Sequence, residues 1–252
     1  MTTRGATLIT GASAGLGAEF ARQCRARGDT LVLVARRKDR LEALAAELGQ
    51  SHVLAADLGE PGAAARLFDD VAALGVEVEI LINNAGFGLT GRFAELDLGR
   101  QLEMIGLNVR ALTELCHIAL PPMLERGKGG ILNVASTAAF QAGPYSAVYY
   151  ASKAYVLSLS EALHEEAKGR GVHVSALCPG PTATEFFEVA GSPDGKLAKR
   201  ATDPKAVVTA GLEGLAKNKA IVIPGGANRA GAFASRLLPR STMRRIVAKL
   251  KA

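Results

Sequence analysis

The sequence predicts an α/β fold: a doubly wound parallel sheet of about seven strands with helices on both faces, in a single domain. Three observations predict it. Short runs rich in β-branched residues alternate regularly with longer stretches of helical spacing. The first six short runs are apolar at nearly every position, as strands covered on both faces are. A glycine-rich segment, Thr10-Gly-Ala-Ser-Ala-Gly-Leu-Gly17, joins the first run directly to the first helical stretch.

The strand-like runs are 6–10, 30–35, 51–56, 78–83, 130–135, 172–178 and 220–223. Between them, segments rich in Ala, Leu, Glu and Arg show a 3.6-residue spacing over 15–27, 38–48, 61–74, 100–126 and 148–169. Asp203-Pro204 opens a further helix, with an N-cap acid and a proline at its first position. The long irregular stretch 181–202 has the length of a substrate lid. Residues 1–226 carry the main domain, and 227–252 read as a basic amphipathic helical extension that Pro239 divides into two pieces.

Composition narrows the class. With 48% hydrophobic and 21% charged residues, the chain can bury a large core. Trp is absent and aromatics make up only 5%, so that core must be built from Ala, Val, Leu and Ile. No apolar run reaches the ~18 residues that span a bilayer, and no secretory leader is visible. Cys24, Cys116 and Cys178 lack metal-ligand spacing and read as thiols of a reducing compartment, so a cytoplasmic location is expected. The histidines do not cluster, and no metal site is expected; His117 sits in an apolar helix as a packing residue. The net charge of +6 is concentrated in two places, Arg36, Arg37, Lys38 and Arg40, and the acid-free tail from Arg229 to Lys251. The first cluster reads as a phosphate site rather than as a nucleic-acid surface.

The glycine segment explains the phosphate. Gly11, Gly15 and Gly17 allow a tight turn and close backbone approach. With Ser13, Ala14 and Leu16 they bring a helix N-terminus, with its amide donors, up to a pyrophosphate. The second run ends Leu33-Val-Ala-Arg36-Arg37. An acid here would hold a ribose 2′-hydroxyl, but Ala35 stands at that place and two arginines follow. Guanidinium groups fork onto a 2′-phosphate, so NADP(H) is expected in preference to NAD(H).

Tyr149 and Lys153 share one helical face at i and i+4, and Ser136 lies thirteen residues before Tyr149. A phenol of pKa ~10 is a poor base at neutral pH, and an adjacent cation is expected to lower it. The group can then give a proton to a carbonyl oxygen or take one from an alcohol. Tyr145 and Tyr150 are competing phenols, and Thr137 could replace Ser136.

These segments, together with Asp57, Asn83-Asn-Ala-Gly86, Asn108 and Pro179-Gly180, resemble the short-chain dehydrogenase/reductase (SDR) family over residues 6 to about 223. The resemblance implies a Rossmann-like sheet and an NADP-dependent oxidoreductase acting on CH–OH donors. It implies Tyr149 as general acid/base and Lys153 as the residue that lowers its pKa and binds the nicotinamide ribose. Ser136 would bond the substrate oxygen, and Asn108 would hold a water in a proton relay. Asp57 and Leu58 would flank the adenine, and Asn84, Ala85 and Gly86 would line the cofactor channel. Pro179, Gly180, Thr182 and Thr184 would meet the nicotinamide.

The substrate is expected to be an apolar ketone, aldehyde or acyl thioester. Tyr145 and Phe186, with Phe87, Leu89, Phe140, Phe187, Val189 and Leu197, offer the apolar surface. A small-residue stripe, Ala154, Ser158 and Ala162, would allow close helix approach in a homodimer or homotetramer, and it fits a face turned to the sheet equally well. A non-catalytic NADP-binding regulator, or a protein held to an anionic membrane by its basic tail, is the alternative reading. For the tail, packing against the body or a sister subunit is the preferred expectation.

Overall fold

The computed structural model describes residues 4–192 and 201–251. Seven parallel strands form one sheet: β1 (Arg4–Thr10), β2 (Thr30–Ala35), β3 (Ser51–Ala55), β4 (Val76–Asn83), β5 (Gly129–Val134), β6 (Val172–Leu177) and β7 (Ile221–Val222). Their order is β3-β2-β1-β4-β5-β6-β7. The order reverses between β1 and β4, which opens a crevice beyond the carboxyl ends of those strands, where ligands of such sheets bind. This is the single-domain Rossmann-like sheet expected from the alternation of elements.

One strand differs from its reading. β3 is half-buried along most of its length rather than covered on both faces, because it is the edge of the sheet and pairs only with β2.

Helices cover both faces. On one side lie α1 (Gly15–Ala26), α2 (Lys38–Leu48) and α8 (Pro204–Ala216), where Phe20, Leu41 and Leu212 pack with Leu33 and Leu177. On the other lie α3 (Ala63–Ala73), α5 (Leu112–Arg126) and α6 (Ala147–Ala167), where Leu67, Leu115 and Val156 meet Leu8 and Ile131. The N-cap expected for α8 is present: the Asp203 carboxylate accepts from the Lys205 amide at 2.9 Å, with Pro204 opening the helix.

The stretch expected as one helix over 100–126 is three segments. α4 (Leu98–Ile105) runs into a π-helical turn, Gly106–Ala111, before α5. The widened turn contains Asn108, whose side chain clasps a neighbouring loop. It accepts from the Phe87 amide at 3.1 Å, and donates to the Phe87 carbonyl at 2.9 Å and to Ser152 Oγ at 3.1 Å. Such insertions often sit beside functional sites.

Pro239 divides the tail as expected, giving α9 (Gly226–Leu237) and α10 (Arg240–Lys251). Val247 of α10 is buried with Ala138 and Tyr150, against Tyr149. Among the described residues, no helix is long and apolar enough to cross a membrane. The short α7 (Phe186–Val189) lies in the expected lid. Leu197 lies outside the described residues.

Candidate active site

The carboxyl ends of the strands border a cavity of about 480 Å³. The loop between β1 and α1 forms one wall. Gly15 has φ of 55°, a conformation that side chains other than glycine adopt with strain. A Cβ on Gly17 would run into the Gly11 carbonyl oxygen, so the turn closes only with glycine there. Gly17 itself is buried behind the loop and does not line the cavity, whereas Gly11, Ser13, Ala14, Gly15 and Leu16 do. The N-cap of α1 is Ala14, which offers no side-chain acceptor, and the first turn holds no acid. These amide donors therefore suit an anion from outside the chain.

Thr10 and Asn84 lock this loop to the end of β4. Thr10 Oγ1 accepts from the amides of Asn84 and Ala85, each at 3.0 Å, and Asn84 Nδ2 donates to the Thr10 carbonyl at 2.9 Å. Deeper in, Asn83 Nδ2 donates to Asn133 Oδ1 at 2.9 Å, and Asn133 Nδ2 to Ser160 Oγ at 2.9 Å. This chain ties β4 and β5 to α6, the helix that carries Tyr149 and Lys153.

Ser136, Tyr149 and Lys153 all line the cavity. Ser136 Oγ accepts from the Ala138 amide at 3.1 Å, which caps a short helical turn at Thr137–Phe140. The same hydroxyl donates to the Pro179 carbonyl at 3.5 Å. Thr137 lines the cavity as well, while its amide donates to the Pro179 carbonyl at 2.8 Å.

Lys153 is buried and donates from Nζ to the Val134 carbonyl at 2.7 Å. Burial holds its ammonium down to about 8. Its Nζ stands 5.9 Å from the centroid of the Tyr149 ring. A Cβ on Gly86 would lie 3.5 Å from this Nζ and 2.8 Å from Asn108 Oδ1, so only a glycine fits between the two side chains.

Tyr149 departs from its expectation. Burial pushes its phenol up to about 12, opposed by the Ser136 hydroxyl and reinforced by Tyr150. The sequence reading had Lys153 lowering it. In the structure, the Lys153 ammonium is instead directed to the Val134 carbonyl. Tyr150, the competing phenol, packs against Ala138 and Val247, and it too reaches the cavity wall.

At the other end of the cavity lie Ala35, Arg36, Arg37, Asp57 and Leu58. Arg37 donates to Ser13 Oγ from Nε at 3.4 Å and from Nη2 at 3.3 Å. Arg36 stands 3.7 Å from Asp57, whose other oxygen accepts from the Gly59 amide at 2.9 Å. Glu185, unremarked in the sequence, bridges Arg37 at 3.2 Å and Arg40 at 2.7 Å.

Pro179, Gly180, Thr182 and Thr184 line the cavity between these two ends. The Thr182 hydroxyl donates to the Gly180 carbonyl at 3.0 Å, and Thr184 Oγ1 accepts from the Phe186 amide at 3.3 Å. Phe87, Leu89, Phe186, Phe187 and Val189 supply the apolar wall, with Phe186 tilted on Tyr149 at 5.3 Å between centroids.

Besides Gly17, three residues expected at the site are not on its wall. Asn108 lies behind Gly86, while Phe140 and Tyr145 do not line the cavity. Tyr145 has a left-handed backbone, φ 64°, and its carbonyl accepts from the Gly91 amide at 2.9 Å. Its role is to turn the chain into α6. Conversely, Arg100 and Leu250 reach the cavity without having been anticipated. Leu250 follows Val247 by one helical turn, so the apolar face of the tail carried a signal for its packing.

The chain is similar to known proteins in sequence and in fold. The chain is 31% identical over 217 residues to a very-long-chain 3-oxoacyl-CoA reductase of Anas platyrhynchos, spanning 82% of this chain and 69% of that protein. It is 37% identical over 184 residues to sulfoacetaldehyde reductase 2 of Chromohalobacter salexigens, spanning 71% and 73%. Among solved structures, a short-chain dehydrogenase from Sphingobium yanoikuyae in complex with NADPH superposes with a TM-score of 0.81 at 34% identity, covering 95% of each chain. Residues 6–194 match the family model described as short chain dehydrogenase. With that match covering most of the chain, the chain belongs to the short-chain dehydrogenase family of oxidoreductases.

Proposed function

We propose that the protein is an NADP(H)-dependent oxidoreductase that interconverts a carbonyl and a secondary alcohol on an apolar ketone, aldehyde or acyl thioester. The observation that carries this reading is the convergence of Ser136, Tyr149 and Lys153 on one cavity with the glycine loop. The relatives named as an oxoacyl-CoA reductase and a sulfoacetaldehyde reductase support a carbonyl substrate, and the NADPH-bound structure supports the cofactor.

The residues fit such a cofactor. The uncapped start of α1 would take the phosphates, and Arg36, Arg37 and Ser13 would take the 2′-phosphate. Of the other cavity-lining residues, Asp57 and Leu58 would hold the adenine, Asn84, Ala85 and Gly86 the path to the reacting end, and Pro179, Gly180, Thr182 and Thr184 the nicotinamide. When bound, this cofactor supplies or accepts the hydride.

The chain's own residues handle the proton and the charge. Ser136 donates to the substrate oxygen as negative charge grows on it. Tyr149, kept protonated by burial, gives its proton to that oxygen in reduction and recovers it in oxidation. Lys153, its Nζ 5.9 Å from the centroid of the Tyr149 ring, would bind the ribose hydroxyls of the cofactor. Asn108 supports this end of the site by fixing Phe87 and Ser152, with its relay role resting on the resemblance alone. Phe186, Phe187, Val189 and Leu250 of α10 give the substrate side an apolar lining.

In the stripe of Ala154, Ser158 and Ala162, Ala154 is half-buried and the other two are exposed, and we assign it to a contact between copies of the chain.

The test is a pair of variants assayed by NADPH consumption with apolar ketones, aldehydes and acyl thioesters. Tyr149→Phe should lose about 10²-fold or more in kcat, with NADPH affinity kept. Tyr150→Phe should remain active; loss in Tyr150→Phe with activity kept in Tyr149→Phe would contradict the assignment.

A further inference from the structure

We propose that Glu185 competes from within the chain for the groups that take the cofactor's 2′-phosphate, and so sets how strongly NADPH is selected over NADH. This rests on the NADP(H) reading above.

The geometry carries the inference. Glu185 is the residue before α7, on the lid side of the cleft, 148 positions along the chain from Arg37. Its two carboxylate oxygens each take a different guanidinium, one on Arg40 at 2.7 Å and the other on Arg37 at 3.2 Å. Arg37 also donates to Ser13 Oγ, within the phosphate loop. Ser13, Arg37 and Glu185 all line the same cavity. A carboxylate thus already occupies a two-arginine fork at the place where the sequence offers guanidiniums in place of a ribose-binding acid. Among the described residues, no other acid forms an ion pair with Arg37 or Arg40, while Arg36 has Asp57.

A phosphate monoester and a carboxylate seek the same planar donors. A dianionic phosphate beside Glu185 would also meet like charge, so the two anions cannot share the fork without loss. A cofactor with a 2′-phosphate must therefore release the carboxylate to gain its full set of partners. A cofactor with a free 2′-hydroxyl need not. The arginines make the site selective for NADP(H), and Glu185 moderates that selectivity. All three side chains are nearly half exposed, at 43–45%, so the effect is modest.

Glu185→Gln removes the charge and keeps the shape. NADPH and NADH binding would be followed by nicotinamide fluorescence, and 2′,5′-ADP and 5′-AMP binding by calorimetry. The variant should bind NADPH and 2′,5′-ADP about three- to tenfold more tightly, with NADH and AMP changed by less than about twofold. Weaker NADPH and 2′,5′-ADP binding would overturn the proposal, since the carboxylate would then act as a strap over the bound cofactor. No change, or an equal gain for all four ligands, would overturn it too. The wild-type protein separates this proposal from the NADP(H) reading. Equal wild-type affinities for 2′,5′-ADP and AMP would remove the 2′-phosphate site and both inferences. A wild-type preference that Glu185→Gln leaves untouched would remove this one alone.

Discussion

Lys153 donates from its buried ammonium to the carbonyl of Val134 at 2.7 Å, at the end of the strand that leads to Ser136. One bond therefore fixes the position of the lysine relative to the serine, and it does so at an electrostatic cost. Burial brings the lysine from its ordinary 10.5 down to about 8 in the folded state. The unfolded chain then holds more protons than the folded one between these two values, so this group makes stability rise with pH over that window. Below it, the charge is buried in full.

The first prediction follows from that sign. Lys153→Met should flatten the pH dependence of thermal stability between pH 8 and 10.5, compared with the wild type. It should also abolish turnover. Identical pH profiles for the two proteins would show that the ammonium is not desolvated as the structure has it.

A second concerns cofactor choice. Arg36→Ala with Arg37→Ala should weaken NADPH by about tenfold or more and NADH far less, since charge-assisted hydrogen bonds to a phosphate contribute about 1.5–3 kcal/mol. Titration of both cofactors measures this. Equal losses would remove the 2′-phosphate assignment.

Asn108 gives a third. Its side chain makes three hydrogen bonds, two to the backbone of Phe87 and one to Ser152. Asn108→Ala should lose about 1–2 kcal/mol of stability in a denaturant titration, because a partly buried backbone amide and carbonyl lose their partner. A variant as stable as the wild type would leave only the relay role.

The tail supplies a fourth. Val247 is buried against the residues that surround Tyr149 and Tyr150, so removing residues 227–252 should destabilise the protein and raise KM for apolar substrates. Val247→Ala alone should lose about 1–2 kcal/mol. An equally stable, fully active truncated protein that no longer binds anionic vesicles would favour a membrane role for the tail instead.

The fold was legible because strand and helix periodicities differ sharply, and because Asp203-Pro204 and Pro239 mark helix boundaries by backbone chemistry. The break in α4–α5 was not, since a π turn changes hydrogen-bond spacing without changing the apolar pattern around Asn108. Nor was the exposure of β3, which depends on sheet order rather than on its own residues. That the glycine loop, Tyr149 and Lys153 line one cavity was legible from local spacing, and that Ser136 joins them from the resemblance. Glu185 was not legible, because its partners lie 145 and 148 residues away and an acid in a loop carries no periodic signal. The direction of the Tyr149 shift was missed for a related reason. Sequence spacing places a lysine on the right face, but only the folded structure shows its ammonium directed at Val134 and the phenol enclosed.

The central claim is that this cavity transfers hydride to a carbonyl with Tyr149 as the proton donor. It is tested most directly with NADPH deuterated at the transferring position, incubated with the protein and a panel of apolar ketones, aldehydes and acyl thioesters. Mass spectrometry of the alcohol products reads the transfer. The wild-type protein should place the label on the carbinol carbon of at least one product, and Tyr149→Phe should transfer none at equal NADPH occupancy. Label transfer that survives in Tyr149→Phe, or none from a wild-type protein saturated with NADPH across the panel, would contradict the account.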